Sequence, residues 1–115
     1  DVYVIPKLTP NVDRIEDIGL AALEAGADGL CAINTVGPGY TESHGHPVLS
    51  NGMGGMSGSG ALPTALKCIR ALKSITDKPI IGCGGLSTAD DCRAAASAGA
   101  SIIGIGSALS GMDTE

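Results

Sequence analysis

Phenylalanine and tryptophan are absent from the 115 residues, and tyrosine occurs only at Tyr3 and Tyr40. A core must therefore be assembled from Ile, Leu, Val and Ala, a composition that suits parallel strands buried on both faces. Basic runs are missing as well, and the formal charge is −5, which argues against an electrostatic nucleic-acid or anionic-membrane surface. No apolar run approaches the roughly 20 residues that span a bilayer, and the N-terminus carries neither a basic n-region nor an h-region. A cytoplasmic protein is expected. The four cysteines, Cys31, Cys68, Cys83 and Cys92, never come as CxxC. Their spacings suit neither a zinc site, an iron–sulfur cluster nor a small disulfide scaffold, so reduced core thiols are expected and no metal.

Glycine is what the sequence has in quantity, 18 residues, and its placement between Ile80 and Ser107 is informative. That stretch reads IIGCGGLSTADDCRAAASAGASIIGIGS. Two short apolar strands each run into a small-residue turn, Gly84-Gly85 and Gly106-Ser107. Glycine after a strand and before a helix lets a phosphate approach main-chain N–H groups, and the helix start adds partial positive charge. Two such turns in succession form the pattern of the last two strands of a (β/α)8 barrel. A chain of 115 residues is one domain at most, below the roughly 200 residues of a complete barrel.

Taken in order, Asp1 to Ile5 (DVYVI) reads as a buried strand, and Pro6 to Pro10 turns out of it. Lys7 at that strand end is a candidate for contacting an anionic group; the plain alternative is a solvated loop lysine. From Asp13 the register changes to helix, with Ile15, Ile18, Ala22 and Ala25 on one face, Asp13 and Glu16 resembling a capping box, and Gly26 as the stop. Asp28 to Ile33 is the next strand. Asn34 and Thr35 follow it directly, where they either hydrogen-bond a small ligand or simply cap the loop.

Val36 to Ser59 is one long irregular connection, of a length that is usually functional or disordered. Within it His44 and His46 lack a metal-spaced partner and read as solvated loop histidines, and Pro47 to Ser50 can make a short hairpin strand. The glycine cluster from Gly52 to Gly60 is either a linker or main chain that packs against a flat cofactor. A helix follows from about Gly60 to Ile75, with Leu62, Leu66, Ile69 and Leu72 on one face and Pro63 in its first turn. Pro79 to Ile81 is a strand, Ser87 or Thr88 caps a helix that ends at Gly99, and Ser101 to Ile105 is the last strand. Ala108 to Glu115 is too short and too polar to predict as helix. The order is β-α-β-loop-α-β-α-β, with each candidate polar residue at the carboxyl end of a strand, where function gathers in parallel α/β folds.

Six ordered segments, PKLTPNV at Pro6–Val12, AGADGL at Ala25–Leu30, INT at Ile33–Thr35, GGMSG at Gly54–Gly58, PIIGCGG at Pro79–Gly85 and AGASIIGIGS at Ala98–Ser107, together resemble the dihydroorotate dehydrogenase family. The nearest form is the soluble class whose catalytic subunit works with an iron–sulfur flavoprotein partner. The resemblance implies an α/β fold that is the C-terminal half of a (β/α)8 TIM barrel over residues 1–115, with about four parallel strands. It implies FMN as cofactor and oxidation of dihydroorotate to orotate in pyrimidine biosynthesis, in a homo-oligomer.

On that resemblance Lys7 lies beside the flavin ring, Ile33 packs on it and Gly58 approaches it through main chain. Gly84, Gly85, Gly106 and Ser107 cradle the FMN phosphate, and Asn34 and Thr35 hydrogen-bond the substrate ring. The family's general base is a Cys or Ser upstream of the PKLTPNV segment, so no catalytic base is expected here; Cys31 and Cys83 lie on other segments. The connector GPGYTESHGHPVLSN departs from the family pattern. A dihydropyrimidine dehydrogenase-type FMN domain and a non-catalytic flavin- or phosphate-binding half-barrel are the alternatives.

Overall fold

The computed structural model describes residues 1–110. Its centre is a four-stranded parallel sheet in the order β1 (Lys7–Leu8), β2 (Leu30–Ala32), β7 (Ile80–Cys83) and β8 (Ile102–Gly104). Helices α1 (Ile15–Glu24), α2 (Leu62–Lys73) and α3 (Ala89–Ala98) connect these strands. Side chains alternate across a strand, and the register sorts them into two faces. Leu8, Leu30, Ala32 and Ile80 are buried with Ile69 and Leu72 of α2, so the helices cover one face of the sheet. The other face carries the register row Lys7, Cys31, Ile81 and Ile102. This is the partial-barrel arrangement that the sequence predicts.

The N-terminal strand is a correction. Asp1 to Ile5 is not a buried strand: Val2 and Tyr3 are each 86 % exposed, and pairing begins only at Lys7. The segment is tied to Asp28, Val4 N–H donating to Asp28 Oδ2 at 2.8 Å and Asp28 N–H to the Val4 carbonyl at 2.9 Å. Pro6 has no N–H to extend the ladder.

Helix α1 begins at Arg14 as N-cap, without a side-chain cap bond, so the expected Asp13–Glu16 box does not form. Its buried positions are Ile15 and Gly19, while Ile18 is 38 % exposed. At Gly19 a Cβ would lie 2.7 Å from Leu72 Cδ2. The glycine is thus the point at which α1 and α2 close on each other.

Helices α2 and α3 follow expectation. Pro63 sits in the first turn of α2, and Cys68, Ile69 and Leu72 are buried on its inner face. Thr88 and Asp91 form a reciprocal capping box on α3, and Gly99 ends it at φ +121°. Ser87 N–H and Thr88 N–H donate to Asp91 Oδ2 at 3.0 and 2.8 Å, holding the Asp91 carboxyl below the usual carboxylate range.

The connection from Val36 to Ser59 is not irregular. It folds into antiparallel pairs, β3 (Val36–Tyr40) with β6 (Met53–Met56) and, between them, β4 (Glu42–Ser43) with β5 (His46–Pro47). The short hairpin strand expected at Pro47–Ser50 begins instead at His46. Gly37, Gly39, Gly54 and Gly55 present no side chains to alternate, which hides the period of two. His44, at φ +51°, forms the tip, and no cluster of three or more potential metal ligands occurs among the described residues. No described helix is long and apolar enough to cross a membrane. A 3-10 turn at Ser107–Leu109 follows β8; the rest of the Ala108–Glu115 expectation lies outside the described residues.

Ile69→Ala, which empties a fully buried position, is expected to cost about 2–5 kcal/mol in urea unfolding, whereas Ile18→Ala stays within about 0.5 kcal/mol. Asp91→Asn should destabilise α3 at neutral pH only. The carboxylate's support exists above the ordinary unfolded pKa and is lost as pH falls through the depressed folded value. The penalty, read by hydrogen exchange of the α3 amides, therefore vanishes in acid.

Candidate functional site

The carboxyl ends of β1, β2, β7 and β8 open onto one cavity of about 310 Å³. Strand β1 contributes Lys7, β2 contributes Cys31, and the turn after β2 contributes Ile33, Asn34 and Thr35. Cys83, Gly84 and Gly85 enter from β7 and its turn, and Gly106 and Ser107 from the turn after β8. Eight of the nine site residues read from the sequence therefore line a single space. Gly58, the ninth, opens onto a neighbouring groove with Gly85 and Ser107. Among the described residues, Lys7 is the one charged side chain in the cavity lining. Its positive charge suits an anion.

The glycine turns are required by space. A Cβ on Gly84 would lie 2.8 Å from Ile33 Cγ1, and one on Gly85 would lie 2.7 Å from both the Gly58 carbonyl oxygen and Leu62 N, at φ +113° and +77°. Gly106 differs, because a Cβ there meets nothing within 4 Å. At the start of α3, Thr88 N–H donates to Asp91 Oδ2 at 2.8 Å and Asp91 N–H donates to Thr88 Oγ1 at 3.1 Å, so these two amides are engaged by the helix's own cap.

Asn11 was not singled out by the sequence reading, although it lies within PKLTPNV. Its Nδ2 donates to the Thr35 carbonyl at 3.0 Å and its Oδ1 accepts from Gly37 N–H at 2.9 Å. It ties the turn after β1 to the turn after β2 and thereby holds Thr35. Asn34 Oδ1 accepts from Thr35 N–H at 2.8 Å, and Asn34 N–H donates to the Leu8 carbonyl at 2.9 Å. Ile33 is anchored by its own N–H, which donates to the Cys83 carbonyl at 2.8 Å.

The model of one family, dihydroorotate dehydrogenase, matches residues 1–114. The chain belongs to the dihydroorotate dehydrogenase family. Among curated members it is 48 % identical over 110 residues to the dihydroorotate dehydrogenase B (NAD(+)) catalytic subunit of Pyrococcus abyssi, covering 95 % of this chain and 37 % of that protein. It is also 48 % identical over 109 residues to the catalytic subunit of the same description from Streptococcus pneumoniae serotype 4, covering 94 % and 35 %. The crystal structure of DHODH from Eimeria tenella in complex with ferulenol superposes with a TM-score of 0.74 at 28 % identity, over 93 % of this chain and 29 % of that one. The chain thus spans a little over a third of the length of the curated dihydroorotate dehydrogenases it matches.

Two thiols sit on the cavity floor of this family member, where core cysteines were expected. Cys31 Sγ and Cys83 Sγ are 3.6 Å apart, and Cys83 Sγ also approaches the Ile33 carbonyl at 3.3 Å. The hydrogen bond from Cys31 and the charge of Lys7 lower the Cys83 thiol to about 6, while Cys31, sharing its proton with a neighbouring thiolate, is pushed up. Burial pushes up the Cys68 thiol in the helical layer. Iodoacetamide at pH 7 should therefore alkylate Cys83 before Cys31 and Cys68. Peptide mapping against time checks this order, and the Cys83 rate should persist below the pH at which an ordinary thiol loses reactivity.

Proposed function

We propose that this chain forms the flavin-facing part of a dihydroorotate dehydrogenase active site, holding FMN and orienting dihydroorotate for oxidation to orotate. The observation that carries the proposal is the single cavity at the strand carboxyl ends, which gathers Lys7, Ile33, Asn34, Thr35 and both small-residue turns. The residues fit the group: the turn at Gly106 leaves open space where a Cβ would stand, and Lys7 brings positive charge to the same cavity. Gly84, Gly85, Gly106 and Ser107 would hold the phosphate through main-chain N–H groups, with Gly58 backing the first turn. Bound FMN supplies a two-electron acceptor for substrate hydride.

The chain's own side chains then have separable tasks. Lys7 provides positive charge for the pyrimidine edge of the ring system, with no other charged side chain among the described lining residues. Ile33 offers an apolar face, fixed from below by the Cys83 carbonyl. Asn34 and Thr35 present an amide and a hydroxyl to the substrate ring, and Asn11 keeps their turn in place. Excluding water from this concave site strengthens each of these polar contacts. The general base comes from a segment other than those described, as the family resemblance implies. The catalytic-subunit description of the relatives supports a separate electron-transfer partner subunit, which the family resemblance makes an iron–sulfur flavoprotein.

Gly106→Val and Lys7→Met in the protein carrying this chain separate binding from chemistry. Gly106→Val should reduce FMN retained through gel filtration at least tenfold, with circular dichroism unchanged. Lys7→Met should slow dihydroorotate-dependent bleaching of the flavin by a factor of about 100, as removal of a charge-stabilising group does. Unchanged flavin retention in Gly106→Val, with unchanged bleaching in Lys7→Met, would refute the assignment.

A further inference from the structure

The flavin reading makes no use of Cys31 or Cys83, yet the sheet presents their sulfurs as a pair. Strands β2 and β7 are adjacent and parallel, with Cys31 opposite Ile81 and Ala32 opposite Gly82. One step further along, Ile33 N–H donates to the Cys83 carbonyl. Cys31 and Cys83 therefore lie on the same face, two residues out of register, and both open into the cavity. The ladder fixes this spacing, so the pair is preorganised rather than assembled by chance side-chain motion. The sulfur separation of 3.6 Å is well beyond a disulfide bond of about 2.05 Å. It is close to the separation of about 3.8 Å for two sulfurs bound at about 2.3 Å to one tetrahedral centre.

Lys7 stands near both sulfurs and favours their ionised forms, which are the nucleophiles and the ligands. Cys83 is half-buried, which leaves it reachable from the cavity. Cys68 and Cys92 lie in α2 and α3 and line no part of this cavity.

We propose that Cys31 and Cys83 form a two-sulfur chelating site for soft thiophilic centres, of the class of trivalent arsenicals and cadmium-like dications, on the floor of the cavity. With an organoarsenic oxide, both S–H bonds break and two As–S bonds form. The two protons leave with the oxide oxygen as one water, and no electrons change hands. An occupant there takes up part of the space in which a cofactor or substrate would sit, so capture at this site also blocks the cavity.

Phenylarsine oxide tests the proposal on the purified protein carrying this chain, kept reduced with a phosphine and stripped of flavin. Intact mass should show one phenylarsenic adduct that survives excess 2-mercaptoethanol and is removed by 2,3-dimercaptopropanol. Digestion of that adduct should yield the Cys31 and Cys83 peptides joined through arsenic. The monothiol-resistant fraction should persist in a Cys68→Ser/Cys92→Ser variant and fall at least tenfold in Cys31→Ser and in Cys83→Ser, with circular dichroism confirming that each is folded. A wild-type adduct that 2-mercaptoethanol strips, a joined peptide containing Cys68 or Cys92, or resistance retained in Cys31→Ser would overturn the proposal. No flavin enters this readout, so it stands or falls separately from the FMN assignment.

Discussion

The parallel pairing of β2 with β7 is the constraint on which the rest depends. Leu30 and Ile80 of these strands and Ile69 and Leu72 of α2 are the largest fully buried side chains, and their burial on one face fixes which residues appear on the other. Shifting β2 by one residue would send Cys31 into the helices and Ala32 into the cavity, and shifting β7 would do the same to Cys83 and Gly82. The same pairing sets how far each strand runs before its turn. That is why Ile33, Asn34, Gly84 and Gly85 arrive at one end together.

Parts of this arrangement were written in local sequence. Thr88 with Asp91, Gly99 at the end of α3 and the periodic Ile69 and Leu72 each carry a short-range signal that tertiary structure preserved. The cavity turns were equally legible, because small residues directly after an apolar run declare a strand end with open main chain. Elsewhere local chemistry misled. Asp1 to Ile5 is β-branched and reads as a strand, but neither face of it is covered by the described structure, so propensity had no packing to support it.

Other features were illegible because no local signal existed. Glycine-rich strands β3 and β6 give no alternation to detect. Gly19 carries no apolar side chain to signal burial, yet it is where Leu72 enters. The two cavity sulfurs are 52 residues apart in the chain, and only the register of the sheet brings them together. Asn11 acts on Thr35 across 24 positions, a relation that spacing alone does not disclose.

Gly55 in the β3–β6 arm sits against Thr35, where a Cβ would lie only 2.0 Å from the hydroxyl oxygen. The arm and the cavity mouth are therefore in mechanical register: the hydroxyl has no clearance to retreat, and the arm has none to advance. The antiparallel arm, most of whose length is exposed, is thus braced at one end against the turn after β2.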